Sequence, residues 1–135
     1  MESSRATERP AVVGLELSVI LCSYNRAATL ARCLEKFSRQ TVPLERWEVV
    51  LVNDGSTDNT HKMVQQTQWP FQLRYLRQEN TGLAGARNTA IAAARGKILL
   101  LINDDTIAPP DFIEQHLAAQ KAQARTPVSS PRSNR

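Results

Sequence analysis

Aromatic residues make up only 5% of this 135-residue chain, cysteine occurs twice, and no aliphatic run extends beyond residues 98–102. A bilayer crossing needs roughly 20 apolar residues, so that run is far too short, and the polar N-terminus has no secretory apolar core. The expected location is therefore cytoplasmic. Cys22 and Cys33 have neither CxxC spacing nor a His cluster beside them, which argues against a disulfide framework and against a zinc site; both read as small core residues. The five glycines form no GxGxxG after a strand, and GxxxxGK[ST] and GxSxG are absent, which removes the dinucleotide, P-loop and nucleophile-elbow fingerprints. No internal repeat occurs. His61 and His116 stand alone on predicted helices, without a second ligand at metal spacing, and read as surface or satisfied histidines.

What is present is an ordinary soluble composition, 41% apolar and 22% charged, which suits one compact domain. The formal charge of +4 comes from one end. Lys121, Arg125, Arg132 and Arg135 lie in an acid-free stretch, residues 121–135, so the 13 basic residues before it balance the 13 acids of the whole chain. A nucleic-acid partner calls for positive charge interleaved with aromatics on the folded surface. The neutral body has no such pattern, and no nucleic acid is expected.

Residues 1–16 read as a loose leader. Residues 17–22 form a short β-branched and aliphatic run, a buried strand. Leu30, Cys33, Leu34 and Phe37 then recur at helical spacing opposite Arg32, Glu35 and Lys36. Residues 47–53 are a second strand, continuous in Val and Leu as in parallel sheets buried on both faces. A turn at Asp54 and Gly55 follows, with Ser56 or Thr57 as cap of a helix carrying Met63 and Val64. A weaker strand at residues 73–77 and a loop at 80–82 precede a helix at 84–94, with Gly96 placed as its terminator. Residues 97–102 give the strongest strand pattern of all. Asp111 and Glu114 have capping-box spacing for a last helix whose apolar positions, Ile113 and Leu117, fade by Gln120. Residues 124–135 read as a disordered basic tail. Strand and helix alternate four times, so the fold class is α/β, a mostly parallel sheet of about four strands flanked by helices.

Three polar clusters, at residues 23–26, 53–58 and 103–106, each follow the carboxyl end of a predicted strand, the edge at which open α/β sheets bind ligands. The clusters should converge. Asp104 and Asp105 are adjacent carboxylates whose mutual repulsion a divalent cation would relieve, Mg²⁺ or Mn²⁺ by hardness; they could equally cap a turn. Asp54 either belongs to a plain strand-to-helix turn or accepts the ring N–H of a base. Tyr24 is a half-buried core aromatic or a platform for a flat ligand such as a nucleobase. Arg87 falls in step with Ala90, Ile91 and Ala94, where it needs an anionic partner or must snorkel past them to water.

The run from Ser18 through Ser23, Tyr24, Asn25 and Arg26, then Gln40 and Thr41, then Glu48 through Asn53, Asp54, Gly55, Ser56, Thr57 and Asp58, resembles glycosyltransferase family 2. Asn80, Thr81 and Gly82 with Ala86, Arg87 and Asn88, and finally Asn103, Asp104 and Asp105, complete the likeness over residues 17–120. The resemblance implies the A-type nucleotide-diphospho-sugar transferase fold, Rossmann-like, with residues 17–123 as its donor-binding domain. It implies that Tyr24 flanks the base, Asp54 accepts its N–H, Asp104 faces the ribose, Arg87 and Asn88 serve the phosphate side, and Asp105 holds Mn²⁺ or Mg²⁺. The implied reaction is inverting sugar transfer from a nucleotide-sugar donor to a saccharide, lipid-linked or protein acceptor.

Two departures qualify the likeness. Asn103 stands where many members carry the first acid of an Asp-x-Asp signature, which moves the metal onto Asp105. Family members also continue into an acceptor-binding half that supplies the catalytic base, whereas residues 124–135 contain no acid. The expectation is a truncated donor-binding half with no catalytic base of its own, turnover absent or very slow, and self-association through uncovered sheet surface. The alternative is a non-catalytic nucleotide-sugar-binding module. By family habit the location extends to the inner face of the membrane.

Overall fold

The computed structural model describes residues 14–125, with side chains as far as Gln120. The strands are β1 (Leu17–Ser23), β2 (Trp47–Asp54), β3 (Gln72–Gln78) and β4 (Ile98–Leu101), and the helices are α1 (Ala27–Phe37), α2 (Thr60–Gln66), α3 (Leu83–Ala93) and α4 (Phe112–Arg125). All pairings are parallel and the sheet order is β3-β2-β1-β4. The chain winds outward from β1 to β3 and then crosses to the other side of β1, so strand order reverses between β1 and β4. That reversal opens a crevice at their carboxyl ends. No helix among the described residues is long and apolar enough to cross a membrane.

Side-chain alternation sorts the core into two layers. Leu17, Val19 and Leu21 of β1 and Trp47, Val49 and Leu51 of β2 pack with Leu30, Leu34 and Phe37 of α1, Val64 of α2, and Ile113 and Leu117 of α4. Ile20, Val50 and Val52 face the other way onto Ala86 and Ala90 of α3 and onto Ala94 just beyond it. Each fully buried Leu, Val or Phe contributes on the order of 1.5–3 kcal/mol. The first layer is large and aromatic; the second relies on alanines.

A polar network closes the amino-terminal end of the second layer. Glu48, 1% exposed, accepts a hydrogen bond from Ser18 Oγ at 2.6 Å and from the Arg95 N–H at 2.8 Å, and pairs with Arg74 Nε at 3.3 Å. Ser18 Oγ in turn accepts the Gly96 N–H at 2.8 Å. Helix α3 ends at Ala93, with Ala94 as its cap, so Gly96 is not the helix terminator expected. A Cβ there would lie 2.6 Å from the Leu17 carbonyl carbon, so glycine is needed for close approach to β1.

Other expectations shift for physical reasons. The folded part begins before Leu17: Leu15 is buried, Glu16 pairs with Arg46 at 2.8 Å, and the Glu16 carbonyl accepts the Ile98 N–H. Strand β4, with the strongest apolar pattern, is nonetheless the shortest at four residues, paired only with β1 among the described residues. Asp58, not Ser56 or Thr57, serves the start of α2 by accepting the Thr60 N–H at 2.9 Å. The capping box of α4 does not form, because Glu114 accepts the Thr41 hydroxyl at 2.6 Å while Asp111 accepts Gln115 Nε2. Helix α4 runs to Arg125, and the rest of the expected tail, like residues 1–13, lies outside the described residues.

Candidate active site

The loops after β1 and β2 are laced together. Asn25 takes a left-handed conformation, φ 53°, which Asn tolerates better than most residues. From there its Oδ1 accepts the Thr57 N–H at 2.7 Å and the Asp58 N–H at 3.2 Å, while its own N–H donates to Ser56 Oγ at 2.9 Å. Asn53 accepts the Ser56 N–H and donates to the Tyr75 hydroxyl, which also meets His61 Nδ1 at 2.9 Å. His61 is thus a satisfied histidine.

Asp54 ends β2 and is 4% exposed. Its Oδ1 accepts Gln78 Nε2 at 3.0 Å, the Thr81 N–H at 3.0 Å and the Thr81 hydroxyl at 3.2 Å; its Oδ2 accepts the Gly82 N–H at 3.0 Å. Burial pushes this carboxyl up, but the hydrogen bonds from Thr81, Gln78 and Gly82 together outweigh burial and hold it below the usual aspartate range. The loop sits so close that a Cβ on Gly55, itself at φ 81°, would lie 2.6 Å from the Asn80 nitrogen. Gly82 begins α3 with no side-chain cap, leaving first-turn N–H groups available to an anion.

On the other side, Asp104 is 7% exposed and accepts Ser23 Oγ at 2.8 Å, with Arg26 Nη1 at 3.2 Å from its other oxygen. Asp105 is exposed, and its carboxylate makes no ion pair among the described residues. Tyr24, Arg26, Asp54, Arg87, Asp104 and Asp105 all line one cleft of about 410 Å³ at the carboxyl edge of the sheet. Arg87 is half-buried in it, with no ion pair among the described residues. Asn88 lies on α3 but outside the cleft wall. Tyr24 is 47% exposed at the cleft, not a half-buried core aromatic. Cys22 also lines the cleft, where burial pushes its thiol up to about 11 against the lowering influence of Arg87, so it is neutral at physiological pH.

The sequence model described as "Glycosyl transferase family 2" matches residues 18–132. The chain belongs to that family. A validoxylamine A glucosyltransferase of Streptomyces hygroscopicus is 38% identical over 114 residues, 83% of this chain and 27% of the relative. The glycosyltransferase GlyG of Streptococcus pneumoniae is 35% identical over 104 residues, 73% of this chain and 33% of the relative. The chain therefore spans about a quarter to a third of these curated relatives' length. Among solved structures, TarS of S. aureus superposes with a TM-score of 0.75 at 24% identity, over 88% of this chain and 39% of that one. The mannosyltransferase PcManGT of Pyrobaculum calidifontis, solved with GDP-Man and Mn²⁺, gives 0.70 at 29% identity, over 90% and 34%. The fold is the Rossmann-like A-type architecture of these glycosyltransferases.

For this family 2 chain, a metal site made by protein alone is absent among the described residues, which hold no cluster of three His, Cys, Asp or Glu. The donor set fits a cation that arrives with a diphosphate: Asp105 is uncommitted, hard and exposed, and Mg²⁺ or Mn²⁺ ordinarily takes one or two carboxylates and completes its shell with phosphate oxygens and water. Two parts of the site without a role in the sequence reading are Arg26, the ion-pair partner of Asp104, and the Gln78–Gly82 turn that encloses Asp54. Arg26 lies within the polar cluster at residues 23–26, but nothing in the sequence pairs it with Asp104, far along the chain.

Proposed function

We propose that the cleft holds a nucleoside diphosphate sugar and that this chain forms the donor-binding part of a metal-assisted, inverting glycosyltransferase. The convergence of three strand-end clusters on one cleft at the sheet's switch point carries this reading. Tyr24 lays its ring along the base, Asp54 accepts a ring N–H, and Asp104 receives the ribose hydroxyls in place of Arg26. Arg87, half-buried and without an ion pair among the described residues, faces the diphosphate, whose two negative charges suit a guanidinium. Asp105 would hold Mn²⁺ or Mg²⁺, which when bound stabilises charge on the departing diphosphate.

In the transfer, the bond from the anomeric carbon to the diphosphate oxygen breaks, a bond to the acceptor oxygen forms, and the acceptor's proton needs a base. Asp54 is enclosed by donors and Asp104 faces the ribose, which leaves Asp105 as the uncommitted carboxylate of the cleft among the described residues. With Asp105 on the metal, the base comes from outside this cleft. Calorimetric titration of nucleoside diphosphates tests the scheme. Mn²⁺ should tighten binding by about tenfold or more in the native chain and have little effect in Asp105→Ala. An Asp105→Ala protein with undiminished manganese dependence would overturn the assignment, and sugar transfer by the 135-residue chain alone would overturn the external base.

A further inference from the structure

We infer that Arg26 is a displaceable counter-ion that makes the cleft select phosphorylated nucleosides over bare ones; this rests on the donor-site reading above. Asp104 is held from two sides. Ser23 Oγ donates to its Oδ2 at 2.8 Å, and Arg26 Nη1 lies 3.2 Å from its Oδ1. With the Asp104 side chain only 8% exposed, a ribose reaches those oxygens only where a covering group gives way. Ser23 closes β1 and is buried, so it stays. The Arg26 side chain is 50% exposed and free to swing into water. Its backbone need not follow, because its carbonyl accepts the Leu30 N–H at 2.8 Å in the first turn of α1 and the next N–H, of Ala27, donates to Asp58 at 3.3 Å.

The exchange is unequal for charged and uncharged ligands. Ribose hydroxyls satisfy the hydrogen bonding of Asp104 but bring no charge, so a bare nucleoside leaves a nearly buried carboxylate without its guanidinium, which is unfavourable. A nucleotide carries the compensation with it. Its phosphate is joined to the same ribose, within the cleft that Arg26 lines, and gives the released guanidinium a new anionic partner. Arg87 lines the same cleft with no ion pair among the described residues, so it attracts a phosphate without covering an acid. Arg26 covers the ribose position until a phosphate draws it off.

The experiment titrates the 135-residue chain in Mg²⁺ with UDP and GDP by calorimetry and with uridine and guanosine by ligand-observed NMR, following whichever base binds. Arg26→Met keeps the aliphatic stem and removes the charge. In that variant the nucleoside should bind about threefold or more tighter and the diphosphate weaker, so the preference for the diphosphate falls by about tenfold. Arg87→Met should weaken the diphosphate and leave the nucleoside as it was. Because salt screens an exposed ion pair, raising KCl from about 20 to about 500 mM should strengthen nucleoside binding to the native chain while weakening that of the diphosphate. This native-chain comparison decides the matter even if Arg26→Met does not fold. No gain in nucleoside binding, by removing the charge or by screening it, overturns the role of Arg26 and leaves the donor site standing. If neither diphosphate binds the native chain, the donor-site reading fails and this inference fails with it.

Discussion

Asp54 is both buried and ionised, and the two conditions coexist only because the Thr81, Gln78 and Gly82 donors hold its carboxyl below the ordinary aspartate value of 3.8. A carboxyl depressed in the folded state adds stability that is complete above its unfolded value and is lost as pH falls through the folded one. The urea midpoint of the native chain should therefore drop as pH falls below about 4, and Asp54→Asn should be less stable at pH 7 with a flatter acid branch. Equal acid slopes in the two proteins would contradict this. That an acid closes β2 could be read from an aliphatic run ending in Asn53 and Asp54. Its enclosure could not, because the donors arrive 24 to 28 residues later and one sequence carries no sign of such pairing. The Arg26–Asp104 pair, joining the loops after β1 and β4, was hidden for the same reason.

Two braces act on whole elements. Gln40 donates to the Pro109 carbonyl at 2.8 Å and accepts the Ile113 N–H at 2.9 Å, while the Thr41 N–H donates to Pro110, so the turn after α1 fixes the segment that leads from the acidic pair into α4. Glu48 ties β2 to β1, β3 and the end of α3 far from the cleft. Gln40→Ala should cost about 1–2 kcal/mol in urea melts and also weaken manganese-dependent nucleotide binding. Glu48→Ala should cost about 2–3 kcal/mol, tempered because Arg74 is 32% exposed, with nucleotide affinity unchanged at temperatures where the chain stays folded. Affinity changes of the reverse order would refute this division. The elements themselves were legible because periods of 3.6 and the unbroken runs of a doubly covered sheet survive in sequence. Their ends were not: the capping-box acid Glu114 was claimed by Thr41, 73 residues away, a competition no local rule anticipates.

At the scale of the molecule, the two edges of the sheet differ. The β3 edge carries Gln72, Arg74, Arg77 and Gln78, the polar and charged side chains that keep an open strand from pairing with another chain. The β4 edge carries Ile98, Leu99, Leu100 and Leu101, none charged and all at least partly exposed, with Leu101 at 44% and nearby Ile107 at 51%. An uncharged, half-covered strand whose outer backbone groups pair with no strand among the described residues is a template for strand addition, and a second copy of the chain offers the same edge in return. Light scattering of the 135-residue chain should show a mass that rises with concentration. Leu101→Lys places a charge on that edge and should lower the mass toward the monomer, whereas Arg77→Lys, which keeps the β3 edge charged, should leave it unchanged. A constant monomer mass in the native chain over the whole concentration range would mean that the right-handed twist and short length of β4 suffice to keep it from pairing.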